Sequence, residues 1–143
     1  MLENSRWLSI RGHQVPCQAS QQRGDGHLDI YHIWCDLKSG EDDLEFVAAA
    51  KAYLDELKTR GVMVAYRITR RKLGLAPAHL REFHLMLEFD NLAQMDDAFG
   101  LAAARDDPID GFHRAMNQRV VRIDFALYRD FPDAVRVESG LQA

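Results

Sequence analysis

The chain has little of what marks the specialised protein classes. Its 143 residues hold two cysteines, Cys17 and Cys35, at no metal-type spacing. That excludes a disulfide framework and a cysteine zinc site, and a reduced buried Cys35 suits a cytoplasmic protein. No run approaches the roughly 18 apolar residues of a membrane span, and the N-terminus lacks the continuous apolar core of a secretory signal. No membrane partner is expected. Eighteen Lys and Arg stand against 22 Asp and Glu, a formal charge of −4, so no global basic field draws the chain to nucleic acid. A P-loop, a dinucleotide glycine turn and a Ser or Cys nucleophile motif are all missing. What is present is the length of one domain with 47% hydrophobic residues, enough to bury a core.

The organising stretch is LDIYHIWCDL, residues 28–37, a β-branched, aromatic and aliphatic run bounded by glycines. Apolar residues fall on both alternation sets, which predicts a central strand covered on both sides. Residues 1–27 are polar and glycine-punctuated, and read as a weakly ordered or loosely docked extension, with a short added strand at Trp7–Ile10 as the alternative. After the first strand, Ser39 can cap a helix with acidic residues in its first turn. Leu44, Val47, Ala48, Leu54 and Leu57 form its apolar stripe and Gly61 its stop. Residues 62–71 alternate as a second strand, and 81–89 as a third in which Phe83, Leu85, Leu87 and Phe89 oppose Glu82, His84, Met86 and Glu88. Asp90 or Asn91 caps a second helix that buries Leu92, Met95, Phe99 and Ala102. Asp107 and Pro108 restart it as cap and first helical residue. Residues 120–129 make a fourth strand, with Val121, Ile123, Phe125 and Leu127 facing one way and Arg122, Asp124, Ala126 and Tyr128 the other.

The order β-α-β-β-α-β predicts an α+β, ferredoxin-like domain over residues 28–133, with a tail at 134–143. Two right-handed crossovers put both helices on one face of a four-stranded antiparallel sheet. The other face then collects Met63, Ala65, Arg67 and Thr69, the His84 set, the Arg122 set, and His32 with Trp34. It is too apolar for water and too polar for a dry core, which suits a pocket wall.

On IYHIW in the first strand, EFHLMLEF in the third and FALYRDFPD at the close, the chain resembles the dimeric α+β barrel superfamily, and within it a bacterial family of proteins of unknown function. The resemblance spans about residues 28–132. It implies a homodimer in which two open sheet faces meet and enclose pockets. Members include cofactor-free monooxygenases, lactone isomerases, haem-binding enzymes and proteins of no known activity. Fold does not choose among these.

His32 and His84 are the candidate catalytic residues, as a general base or a donor to a bound carbonyl or phenolate. The plainer role for each is a hydrogen-bonded core or interface histidine. Trp34, Arg67, Met86, Glu88, Arg122, Asp124 and Tyr128 are the candidate ligand-binding residues. No metal is expected, because His84 and Glu88 lie about 13 Å apart along one strand. No cofactor is assigned, though haem on one histidine stays open. His79 and His113 are expected at the surface. An RNA-recognition role is disfavoured because the third strand turns its Phe residues toward the helices. The expected function is a homodimer with a small-molecule pocket on the open sheet face, as a cofactor-independent monooxygenase or isomerase. The alternative is a non-catalytic ligand-binding or stress-associated dimer.

Overall fold

The computed structural model describes residues 27–133, 135, 136 and 140. The N-terminal extension at 1–27, apart from His27, and most of the tail lie outside the described residues, with Cys17 and the alternative strand at Trp7–Ile10.

The elements run β1 (Asp29–Leu37), α1 (Asp43–Thr59), β2 (Ala65–Arg70), β3 (Phe83–Phe89), α2 (Leu92–Ala104), α3 (Ile109–Asn117) and β4 (Val120–Arg129). They form one antiparallel sheet in the order β2-β3-β1-β4, so the expected ferredoxin-like fold is what the chain adopts and β1 is central. Strict alternation in β3 gives strict alternation of burial: Phe83, Leu85, Leu87 and Phe89 are buried, and the residues between them half-buried. The core lies between this side of the sheet and the helices, around Phe46, Ala50, Leu54, Leu57, Leu85 and Ile109. Each large side chain there contributes about 1.5–3 kcal/mol of transfer free energy.

α1 is capped by Asp42, whose Oδ1 accepts from the backbone N–H groups of Leu44 and Glu45, both at 2.9 Å. Ser39, the expected cap, lies in the preceding turn with Gly40 at φ +84°. Val47, Leu54 and Leu57 pack inward as expected, but the rest of the stripe differs. Leu44 is 76% exposed and Ala48 exposed, while Phe46, Ala50 and Tyr53 turn inward. Gly61 ends the helix as expected, at φ +75°. Asn91 caps α2 by accepting from the Gln94 N–H at 2.9 Å. On α2 the buried position is Ala98, and Leu92 and Phe99 are 44% and 40% exposed. α3 starts one residue later than expected: Pro108 holds the cap position and no side chain caps it.

Two departures change which residues face where. Met63, expected on the open face, precedes β2 and is buried in the core, 3% exposed. The β1–β4 register slips between Cys35 and Asp36, where Cys35 opposes Ile123 and Asp36 opposes Val121. Arg122 is the extra residue, at φ +52°. Val120 rather than Val121 consequently packs on the core, and Val121 is exposed.

One ion pair closes the far end of the sheet. Asp29, 3% exposed, accepts from Nε and Nη2 of Arg129, its partner across β1 and β4, at 2.6 and 3.2 Å.

Candidate functional site

Two places in this fold could act on a ligand, one on each side of the sheet. On the open side, Trp34 opposes His84 and His32 opposes Met86, so the two histidines are diagonal neighbours across β1 and β3. His32 Nδ1 lies 2.8 Å from His84 Nε2. The rings are inclined by 19° with centroids 5.1 Å apart, an edge-to-edge pair. Trp34 stacks on both imidazoles, at 4.5 Å from His84 and 5.4 Å from His32. Tyr128 meets the His32 ring edge-on at 4.8 Å. Burial lowers the pKa of both histidines, and in His84 the nearby His32 lowers it further. Both are thereby held toward the neutral form, one nitrogen donating and the other accepting.

The sequence thus brought His32, Trp34, His84 and Tyr128 to one cluster. Met86 sits beside it on β3, opposite Arg67, and Arg67 is exposed without an ion pair among the described residues. Glu88 is half-buried on the same face, with Oε2 occluded and unpartnered. Asp124 lies opposite Trp34 but pairs with Arg81 Nε at 3.0 Å. Arg122 is displaced from the cluster by the bulge and stands 4.0 Å from Asp36. Among the described residues no group of three His, Cys, Asp or Glu is placed to hold a metal, and no helix is long and apolar enough to cross a membrane.

On the other side, between the sheet and the helices, lies a cavity of about 300 Å³. The sheet floor is Tyr31, Ile33, Cys35, Leu85, Leu87, Ile123 and Phe125, and Phe46, Tyr53, Phe99, Ala102, His113, Met116 and Asn117 close it from the helices. No Asp, Glu, Lys or Arg lines it. Tyr31 bridges two aromatics at its wall, edge-on to Phe99 at 5.1 Å and stacked on Phe125 at 5.7 Å. Tyr53 meets the His113 ring at 5.1 Å. Burial pushes the Tyr53 hydroxyl up to about 12 and the Cys35 thiol up to about 11, the latter helped by the Asp36 charge, so both stay protonated.

Sequence reasoning missed this cavity. It placed His113 at the surface, whereas the half-buried ring lines the cavity wall. A signal was available: Phe46, Ala50, Tyr53 and Leu57 recur at helical spacing, which marks Tyr53 as inward despite its hydroxyl.

A model of a family of unknown function, DUF6614, matches residues 28–141. No curated protein matches the chain. Among solved structures, SnoaB, a cofactor-independent oxygenase of Streptomyces nogalater, superposes with a TM-score of 0.55 at 6% identity, covering 76% of this chain and 97% of its own. A dabb family protein with a ferredoxin-like fold from Mesorhizobium loti gives 0.54 at 18% identity, covering 74% and 99%. A dimeric ferredoxin-like protein of unknown function from Thermobifida fusca gives 0.51 at 12% identity, covering 73% and 92%. These likenesses establish the fold.

Proposed function

We propose, for a chain that belongs to the family of unknown function DUF6614, that it is a homodimeric protein that binds a small molecule in the cavity between sheet and helices. The observation that carries this reading is the cavity itself: about 300 Å³, walled by aliphatic and aromatic side chains with a few polar groups. That size and lining are those of small-molecule sites. The second copy is assigned to the open sheet face, where half-buried Trp34, Met86 and Ala126 sit among polar side chains. Tyr128, 59% exposed and edge-on to His32, extends that apolar surface. The similar structure from Thermobifida fusca is described as dimeric, which supports a second copy. A cytoplasmic location rests on the sparse cysteines alone.

The test is native mass spectrometry of freshly purified protein, followed by titration with the neutral dye N-phenyl-1-naphthylamine. One dye per protomer is expected, abolished by Ala102→Trp, which fills the cavity from α2. Dye uptake unaffected by that substitution, or no uptake at all, overturns the reading.

A second reading is favoured by the hydrogen-bonded histidines. In it the chain is a cofactor-independent monooxygenase or isomerase, with His32 and His84 working in a pocket that the second copy closes over the open face. Trp34, Met86 and Tyr128 would line that pocket, and Arg67, Glu88, Arg122 and Asp124 would stand at its rim. The Streptomyces nogalater relative is such an oxygenase. Turnover lost on His32→Ala, with the fold intact, would favour this reading over the first.

A further inference from the structure

Tyr53 is 7% exposed, yet among the described residues its hydroxyl has no hydrogen-bond partner. Its recorded neighbour there is the His113 ring. Tyr66 shows the usual arrangement, its hydroxyl donating to Asp55 Oδ1 at 2.8 Å. The Tyr53 hydroxyl is not itself occluded, so with no protein partner it is free to donate to a group beside it in the apolar wall. Tyr53 lines the cavity. Asn117 follows His113 by four residues on α3, on the same helical face, and lines the cavity too. The polar groups Tyr53, His113 and Asn117 therefore come from the α1–α3 side, while apolar sheet residues form the floor. With no charged residue in the wall, nothing would offset the desolvation of a charged ligand.

We propose that the cavity takes an uncharged, mostly apolar ligand carrying an oxygen acceptor, a ketone, ester or hydroxyl, which the Tyr53 hydroxyl holds by donating a hydrogen bond. The proposal rests on the cavity reading above and adds the chemistry of the ligand. Burial keeps the phenol protonated, in the donating state the role requires. His113, whose ring meets that of Tyr53, and Asn117, an exposed residue of the same lining, supply further hydrogen-bonding groups.

The test uses three ring systems of equal size: 2-acetylnaphthalene with a ketone, 2-ethylnaphthalene without one, and the anion 2-naphthoate. Affinities are measured for the wild type, Tyr53→Phe and Ala102→Trp, with circular dichroism to confirm folding. The ketone-to-hydrocarbon affinity ratio should fall roughly five- to tenfold in Tyr53→Phe, the loss expected for one neutral hydrogen bond. The naphthoate should bind more weakly than the ketone in the wild type. An unchanged ratio in Tyr53→Phe, with both neutral compounds still bound and displaced by Ala102→Trp, overturns the ligand chemistry and leaves the cavity reading standing. Naphthoate as the tightest ligand also overturns it. If none of the three binds, or Ala102→Trp changes nothing, the cavity reading falls and this inference with it.

Discussion

His32 Nδ1 and His84 Nε2 lie 2.8 Å apart on neighbouring central strands, so in the neutral pair one donates and the other accepts. A first added proton can go to an outer nitrogen and leave that bond in place, whereas a second puts hydrogens on both facing nitrogens and breaks it.

The pair predicts a pH dependence with a definite sign. Both histidines have folded-state pKa values below the ordinary one, so below about pH 6.5 the unfolded chain takes up protons that the native state resists. Stability is full above that value and is lost as the pH falls through the lowered range. The urea midpoint should be lower at about pH 5.5 than at about 7.5. The difference should shrink in His32→Asn/His84→Gln, and an undiminished difference would place the sensitivity elsewhere.

Dimerisation through the open face predicts that the wild type runs at twice the protomer mass by light scattering. Trp34→Glu, which places a charge above the histidine pair, should give a folded monomer. A wild-type monomer, or an unaffected dimer in the variant, would contradict that assignment.

The cap of α1 makes a cleaner comparison. Asp42→Ala should cost about 1 kcal/mol, because two backbone N–H groups lose their acceptor. Ser39→Ala should leave the unfolding midpoint unchanged. Equal effects would put the helix start three residues earlier.

The Asp29–Arg129 pair predicts an asymmetry. Removing the arginine strands a carboxylate that is 3% exposed, whereas removing the carboxylate frees a guanidinium that is half in solvent. Arg129→Ala should therefore lower the melting temperature more than Asp29→Ala does. The reverse order would mean the carboxylate is hydrated in the native state.

These cases also show where the fold was legible. β3 could be read residue by residue because its pleat is unbroken and each side meets one environment throughout. The reading failed where the pleat breaks. Arg122 enters a left-handed conformation without being glycine, so nothing in its identity announces the bulge that sends Val121 outward. Met63 fell on the wrong side because β2 begins after it, and the chain there is irregular rather than a strand. Ser39 and Asp42 both lie just before α1, and only the entry path of the chain decides that Asp42 does the capping.

The candidate site divides in the same way. His32, Trp34 and His84 were readable as one face, since strand parity fixes direction, though the 2.8 Å contact depended on a register that parity does not give. The cavity was not readable. It lies between two layers that each looked amphipathic alone, beside α2, where Ala98 is the fully buried residue and Met95, Leu101 and Ala102 are partly buried. Periodicity reports which side of a helix faces inward, not how far the opposite layer stands from it.

The most direct test of the central claim is a crystal structure of the protein soaked with 2-acetylnaphthalene. The account predicts ligand density between the sheet and the helices, with the ketone oxygen within about 3.2 Å of Tyr53 Oη. Density confined to the open face beside His32 and His84, with the inner cavity empty or collapsed, would contradict it.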